Sequence, residues 1–599
     1  MIQYELRYCF DNLGLLLCIV LVISQIEYKM TFGGDEMAVL HQEYYKGTGK
    51  GQAKIQVNRD IRSYIEDNPS GDFSQVLAMD ARWQVFYHLS DMRASILNWY
   101  EWSKNGSILE IGGEFGALTG LLCKHGKHVT TIEYGLFKAE TICKRHSNRE
   151  NLDVYAGNLF DMEFAEKFDY IVMIGSLERQ CGGSNSLEDY HRYMKKIVTL
   201  LKPNGKLLAA VENRYGLRYF CGEVETYTGK PYAGINHYPQ GARGYTFSKK
   251  ELYDIMCSAG FKAVKFYYPL PDYKLPQMIY SDEFLPQKDL GERLLFYHLN
   301  KNTLVASENN LYEDLIDNHV FPFFANSYLT ECSLDGKYST TIFAAVTTDR
   351  GKYHAMSTSV FYSSGGEERR VRKRALYREG ISNVRAVYDN MMELKKHGIT
   401  IVPHYLENDD IIMPFIPKIT CSDYLRKLVM LGDGDAFELI FELIYQNILK
   451  SSELVPAEEN KLPEVGGNVV EYGPILKRCY VDMVPFNCFY VNGKLLYFDQ
   501  EFVMEDYPAL YPMYRALMYT YYFIPDAEKL VPIHEMKRRY GLIELWDVFQ
   551  KEEDRFVSDN RRHEVYQNFY KWIGDDLTRI NCNAELLLKS EFFHECDAD

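Results

Sequence analysis

The chain has 599 residues, 46% of them apolar and 25% charged, which describes folded globular protein and excludes a disordered polymer. That length exceeds one ordinary core, so two or three domains are expected. A net charge of −16 leaves no global basic footprint, and no nucleic-acid partner is expected. The 13 cysteines contain no CxxC pair, so neither a zinc framework nor a disulfide scaffold is indicated and a reduced, cytoplasmic compartment is the simplest reading.

Residues 1–74 read as a lead-in. The apolar run Leu13–Ile23 is too short to span a bilayer comfortably, and Glu5, Arg7 and Asp11 before it make a poor export signal. Three readings stay open: an artefactual or disordered extension ahead of a true start at Met30 or Met37, a weak membrane anchor that would hold the protein peripherally at the inner face of the membrane, or a docking helix. Residues 30–75, rich in Gly, Asp, Asn and Lys, read as an irregular lead-in or lid. From Met79 to Trp102 the spacing of Trp83, Phe86, Leu89, Ile96, Leu97 and Trp99 predicts helices.

Residues 108–133 carry the strongest signal. Ile108–Ile111 reads as a buried strand, Gly112-Gly113-Glu114-Phe115-Gly116 as a glycine turn, and His128–Glu133 as a second strand ending in an acid. Gly112 and Gly116 permit close backbone approach to a ligand, and Glu110 is placed to orient a ligand amino group or the turn itself. Glu133, 21 residues after Gly112, is placed to accept hydrogen bonds from ribose hydroxyls. The turn is ExGGExG, with Glu114 where a dinucleotide enzyme would carry a glycine; a carboxylate there suits a cationic cofactor and favours S-adenosylmethionine over NAD.

Gly157–Asp161, the strand Phe168–Ile174, the segment Leu201–Leu208, and then Phe247–Leu252 with Ala259-Gly260-Phe261 follow in order. On these motifs the chain resembles the class I S-adenosylmethionine-dependent methyltransferases over residues 75–300. The resemblance implies a Rossmann-like α/β sheet, Asn158 or Asp161 near the adenine, and a last helix turning into an antiparallel strand. Two insertions, residues 213–246 and 269–276, are placed beyond strand ends, where ligands of open α/β sheets bind. In the first, His237 is a candidate general base and Arg214 or Arg243 a candidate anion clamp, while Glu212 and Tyr215 are further candidates for orienting the acceptor.

Residues 301–334 read as a linker. Strand-like runs at 340–346 and 354–362 then precede Val371-Arg372-Lys373-Arg374 and a helix from about 383 to 396. Asp482 and Asn487 lie five apart, with Asp499 twelve residues on at a strand end, an order that suits phosphoryl transfer: one acid for a hydroxyl nucleophile, the other two for magnesium. With Lys373 on a third strand and Met413–Ile416 as a hinge, residues 335–590 resemble the protein-kinase-like superfamily, near its aminoglycoside and choline kinase branch. That resemblance implies an α+β two-lobed domain with Asp482 as the catalytic-loop acid, Asn487 and Asp499 as Mg2+ ligands, Lys373 on the phosphates of ATP, and Asp389 or Glu393 as the partner of Lys373. Gln500 after the second acid, Tyr480-Val481 before the first and the lack of a GxGxxG loop depart from the pattern. Residues 591–599 are a tail.

In domain order the chain resembles the bifunctional methyltransferase/kinases that cap bacterial O-antigen polysaccharides, and it also looks like methyltransferases that accompany bacterial glycosyltransferases. The implied acceptor is a surface glycan or glycolipid, and the implied partners are glycosyltransferases of a polysaccharide cluster. Two alternatives stay open: a methyltransferase of a small metabolite or protein with a degenerate kinase-like specificity domain, and a non-catalytic glycan-binding scaffold.

Overall fold

A computed structural model describes residues 38–47, 51–181, 186–287, 290–363, 366–456, 459, 472–574 and 576–588. The apolar run at 13–23 and the tail at 591–599 lie outside them. The chain divides into two compact units, the first built from residues up to 72, 102–173 and 199–205, the second from 73–101, 174–198 and 206 onward.

The first unit is a parallel sheet. Its strands are β1 (Val39–His41), β2 (Ser107–Ile111), β3 (His128–Glu133), β4 (Leu152–Ala156) and β5 (Phe168–Ile174), in the order β1-β4-β3-β2-β5. Parallel strands covered on both faces read as unbroken apolar runs, and Ile108, Leu109 and Ile111 are buried without alternation. Helices α1 (Gln56–Asp67), α2 (Thr119–His125) and α3 (Leu136–Arg145) flank the sheet. The register pairs Glu110 with Thr131 and Glu133 with Ala156, so the carboxyl ends of β2, β3 and β4 finish side by side. The lead-in is more ordered than expected: β1 adds a parallel edge to β4, and α1 buries Ile61 and Ile65, one turn apart. Its short runs of apolar residues gave no visible period in the sequence.

The second unit is antiparallel. It contains β6 (Leu201–Glu212), β7 (Ala263–Leu270), β8 (Met278–Ser281), β9 (Ser327–Ser333), β10 (Thr341–Val346), β11 (Met356–Tyr362), β12 (Arg369–Ala375), β13 (Tyr405–Glu407) and β14 (Asp410–Pro414). Their order is β6-β9-β7-β8-β10-β11-β12-β14-β13. Helix α4 (Lys249–Ala259) precedes β7, as the resemblance implied; Ser248 and Glu251 form a reciprocal N-terminal cap, and Gly260 ends it at φ 115°.

The linker expected at 301–334 is not one. It supplies the helix Glu308–Asp317 and then β9, which inserts between β6 and β7 and pairs antiparallel with both. β9 is buried along its whole length, and Thr330 Oγ1 is satisfied inside by donating to the Ala209 carbonyl at 3.1 Å. The sheet also continues from β8 to β10, so within this unit no boundary falls at residue 335.

Helix α5 (Ile381–Lys396) follows β12, and α6 (Cys421–Leu431), α7 (Gly434–Lys450), α8 (Leu510–Phe523) and α9 (Trp546–Asn560) come after β14. Helical spacing of Phe437, Ile440, Phe441, Ile444 and Ile448 makes α7 the centre of one large apolar core with α8. Between α7 and α8, β16 (Ile475–Tyr480, after the two-residue β15, Leu454–Val455) pairs with β19 (Val503–Pro508), and the hairpin β17 (Cys488–Val491) and β18 (Lys494–Tyr497) lies between them in sequence.

Candidate functional site

In the first unit the glycine turn is held by carboxylates. Glu110, buried at the end of β2, accepts hydrogen bonds from Thr119 Oγ1 at 2.6 Å and Thr131 Oγ1 at 2.8 Å. These bonds tie the end of β2 to the start of α2 and to β3. Gly112 and Gly116 adopt φ of 83° and 76°, where a side chain is strained, and a Cβ on Gly116 would lie 2.9 Å from His146 Nε2. Glu114 also has positive φ, at 55°; its carboxylate pairs with Lys138, and its amide donates to Glu133 Oε2 at 3.0 Å.

Glu133 is 5% exposed at the end of β3 and also accepts the Gly135 amide at 3.2 Å. Burial pushes its carboxyl up to about 7, against the pull of the Lys138 ammonium. A cavity of about 310 Å³ is walled by the two residues that follow Glu133, Tyr134 and Gly135, and by Tyr44, Gly157, Asn158 and Asp161 among others; Glu133 itself is not part of the wall. Asn158 caps a short turn by accepting the Phe160 amide at 2.9 Å, and Asp161 pairs with Lys46 at 2.7 Å. The lead-in closes this end: Tyr44 O would lie 2.6 Å from a Cβ on Gly157, and Gln52 fills the place of one on Gly135.

In the second unit the polar residues beyond β6 form a buried network. Glu212, 2% exposed, accepts hydrogen bonds from Thr226 Oγ1 at 2.8 Å and from Tyr219, and pairs with Lys274, so the two insertions meet at one carboxylate. Burial would raise this group, but the Lys274 ammonium and the two hydroxyls hold it below the usual carboxylate range. Arg214 does not act as an anion clamp. It is buried and already bonded to Glu251 at 3.1 Å and to the Thr246 carbonyl at 2.7 Å, with its guanidinium over the Tyr245 ring. His237 is exposed at φ 55°, with Nδ1 3.3 Å from Arg214 Nη1, where it caps that arginine.

Sequence reasoning missed Glu178. It stands four residues beyond the end of β5, has no exposed surface, and accepts the Glu212 amide on Oε1 at 3.0 Å. Its Oε2 is buried without a partner among the described residues, and burial pushes the carboxyl up to about 7. A buried acid with one unsatisfied oxygen near neutrality has the properties of a proton acceptor. The signal available in the sequence was its place just past a strand end.

The later motif residues also converge. Lys373, on β12, pairs with Asp499, which sits at φ 56° after β18. Asn487 donates to the Asp482 carbonyl at 3.2 Å. Asp482 itself is occupied: one oxygen accepts from Arg515 of α8 at 3.0 Å, the other from the amides of Glu501 and Phe502 at 3.2 and 3.0 Å. Burial pushes it up despite Arg515, and in this arrangement it braces the loop instead of presenting a free oxygen to a hydroxyl. Neither Asp389 nor Glu393 is the partner of Lys373; Glu393 pairs with Lys396 at 2.7 Å, and the polar side chains that α5 buries are Asn383 and Asn390. Asn383, Arg350 and His354 meet instead on Glu501, at 2.8, 2.6 and 2.8 Å. Burial opposes ionisation of Glu501, yet those partners and Lys373 hold it down to about 2. Among the described residues no group of three or more His, Cys, Asp or Glu is placed to hold a metal.

A parallel sheet with an acid-braced glycine turn and an acid at the next strand end is the frame of a methyltransferase domain. Residues 82–265 match the family model described as a methyltransferase domain. An uncharacterized methyltransferase of Staphylococcus carnosus (strain TM300) is 35% identical over 88 residues, 15% of this chain and 39% of the relative. The chain thus spans well under half the length of that curated relative. Among solved structures, a SAM-dependent methyltransferase from Bacteroides fragilis in complex with S-adenosyl-L-homocysteine is 18% identical, with 41% of this chain and 76% of that one covered and a TM-score of 0.23. The N-methyltransferase NodS from Bradyrhizobium japonicum WM9 is 14% identical, with 40% and 89% covered and a TM-score of 0.22. No helix among the described residues is long and apolar enough to cross a membrane.

Proposed function

We propose that the protein transfers a methyl group from S-adenosylmethionine to a hydroxyl of a surface glycan or its precursor. The observation that carries the reading is a 310 Å³ cavity at the carboxyl ends of β3 and β4, walled by Gly135, Asn158 and Asp161 and following directly on the buried carboxylate of Glu133, in a chain whose residues 82–265 match a methyltransferase-domain model. In this reading Glu133 binds the ribose, Asn158 and Asp161 flank the adenine, and the glycine turn lies along the rest of the cofactor. The cofactor supplies an electrophilic methyl group. Glu178 takes the proton of the acceptor hydroxyl, a role that its unsatisfied Oε2 supports better than the exposed His237 does. Calorimetric titration with S-adenosylmethionine tests the first step: binding is expected, and its absence overturns the reading. Incubation with labelled methyl donor and fractionated cell-envelope glycans tests the acceptor.

A second activity is favoured by one observation, the ion pair of Lys373 on β12 with Asp499. The order β10-β11-β12-β14-β13, with α5 between β12 and β13 in sequence, supports the kinase-like reading of this region. We propose that it binds Mg-ATP, with Lys373 on the phosphates and Asn487 and Asp499 toward Mg2+. Phosphorylation of the same glycan is the activity this predicts. Magnesium-dependent nucleotide binding by the full chain is the test, and none at millimolar ATP removes the second activity alone.

A further inference from the structure

The insertion between β6 and α4 encloses an open cavity of about 490 Å³, within the range of small-molecule sites. Tyr227, Lys230, Asn236, Gln240 and Arg243 line it together with Pro231 and Pro239. No lining residue is acidic, in a chain whose net charge is −16. Two cations facing one cavity in such a chain make a local field that selects for anions.

The walls are preformed. Glu225, 2% exposed, accepts the amides of Tyr227 and Thr228 at 2.9 and 2.8 Å and the Tyr238 hydroxyl at 3.2 Å. Its own backbone bonds to Lys230 and Gly229 close the turn at 3.0 and 2.8 Å. The Tyr227 ring lies over Gly244, where a Cβ would come within 2.7 Å of it, so the bend carrying Arg243 packs closely against the aromatic wall. Arg243 is exposed and makes no hydrogen bond or ion pair among the described residues, while Lys230 rests on Gln240. The fold thus spends its ordering on the wall and leaves the guanidinium open for a ligand.

We infer that this cavity is the binding site of an anionic sugar, its carboxylate or phosphate on Arg243 and Lys230 and its hydroxyls on Asn236 and Gln240. A guanidinium binds either group through paired hydrogen bonds, and the amides of Asn and Gln both donate and accept, as sugar hydroxyls require. The inference deepens the proposed methyl transfer by naming the class of its acceptor, and rests on that reading for the cavity's role but not for binding itself.

The experiment is saturation-transfer NMR and calorimetry on the full chain with glucuronic acid, glucose 6-phosphate, glucose and inorganic phosphate, for the wild type and the Lys230→Gln/Arg243→Gln double variant. Both charged sugars are expected to bind at least about tenfold more tightly than glucose, and the double variant to lose that preference. Preference for one of the two charged sugars assigns the anion as carboxylate or phosphate. Glucose binding as well as the charged sugars, phosphate alone binding as well as glucose 6-phosphate, a preference that survives the double substitution, or no binding at about 10 mM each overturns the inference. S-adenosylhomocysteine is titrated alongside. If it binds the double variant as it binds the wild type, the fold is intact; if it binds neither while the charged sugars do, the methyltransferase reading fails and the cavity stands.

Discussion

Replacing Glu133 by Gln should move stability and cofactor affinity in opposite directions. Burial raises this carboxyl from 4.5 to about 7, so the folded protein holds its proton more tightly than the unfolded chain does. Such a group carries no penalty below its unfolded value; stability falls as pH rises from 4.5 to about 7 and stays lower above that. At about 1.4 kcal/mol per unit, the penalty above neutrality is about 3 kcal/mol. Gln removes it, but its single carbonyl oxygen satisfies one of the two amides, of Glu114 and Gly135, that the carboxylate accepts, a loss of about 1–2 kcal/mol. The balance is a net gain of about 1–2 kcal/mol at pH 8 that falls to about zero or a slight loss at pH 5. For S-adenosylmethionine the sign reverses, since ribose hydroxyls lose a charged acceptor worth about 1.5–3 kcal/mol, about ten- to a hundredfold in Kd. Thermal melting of the ligand-free protein at pH 5 and 8, with calorimetry at pH 8, measures both. A lower Tm for Glu133→Gln at pH 8, or unchanged cofactor affinity, refutes the reasoning.

Glu178→Gln should lower methyl transfer by about 10²–10⁴-fold while leaving cofactor affinity unchanged, and the wild-type rate should climb as pH rises through about 7; a variant with wild-type rate and pH profile removes the proposed base. Gly116→Ala should destabilise by about 1–3 kcal/mol, because φ is 76° and the new methyl group meets His146, itself kept neutral by burial with its pKa lowered to about 3; an unchanged Tm contradicts this. Lys373→Ala should abolish Mg-ATP binding in a fluorescent-nucleotide titration and leave S-adenosylhomocysteine binding intact, and ATP binding that persists in the variant rules out the assigned role of Lys373.

The first sheet was legible because its determinants are local. Ile108–Ile111 and the glycine turn lie within one βαβ unit, and the strand period, the turn residues and Glu133 all point to the same fold. The helix α4 was recognised by resemblance, and its bounds, set by Ser248, Glu251 and Gly260, are equally local. β9 was not, because its polar residues Thr330, Glu331 and Ser333 belie complete burial. Glu331 is accommodated by Lys206 at 2.7 Å and by the Tyr100 hydroxyl at 2.9 Å, partners 125 and 231 residues away. No window of sequence shows such pairings.

The functional residues divide along the same line. Glu110, Gly112, Gly116 and Glu133 were singled out because their spacing is itself the signal. His237 and Arg214 were chosen by residue type alone, and type does not say whether a group is already satisfied. A guanidinium that looks free to clamp an anion is neutralised once Glu251 and the Thr246 carbonyl fold onto it. Asp482 follows the same logic, since Arg515 and two amides consume the oxygens that its motif would offer to a hydroxyl. Conversely Glu178 carries no motif, and the role proposed for it rests on what the fold withholds, a partner for Oε2 among the described residues and access to water. A side chain in a site is therefore read by the bonds it has left over, and that remainder is set by contacts the linear sequence does not contain.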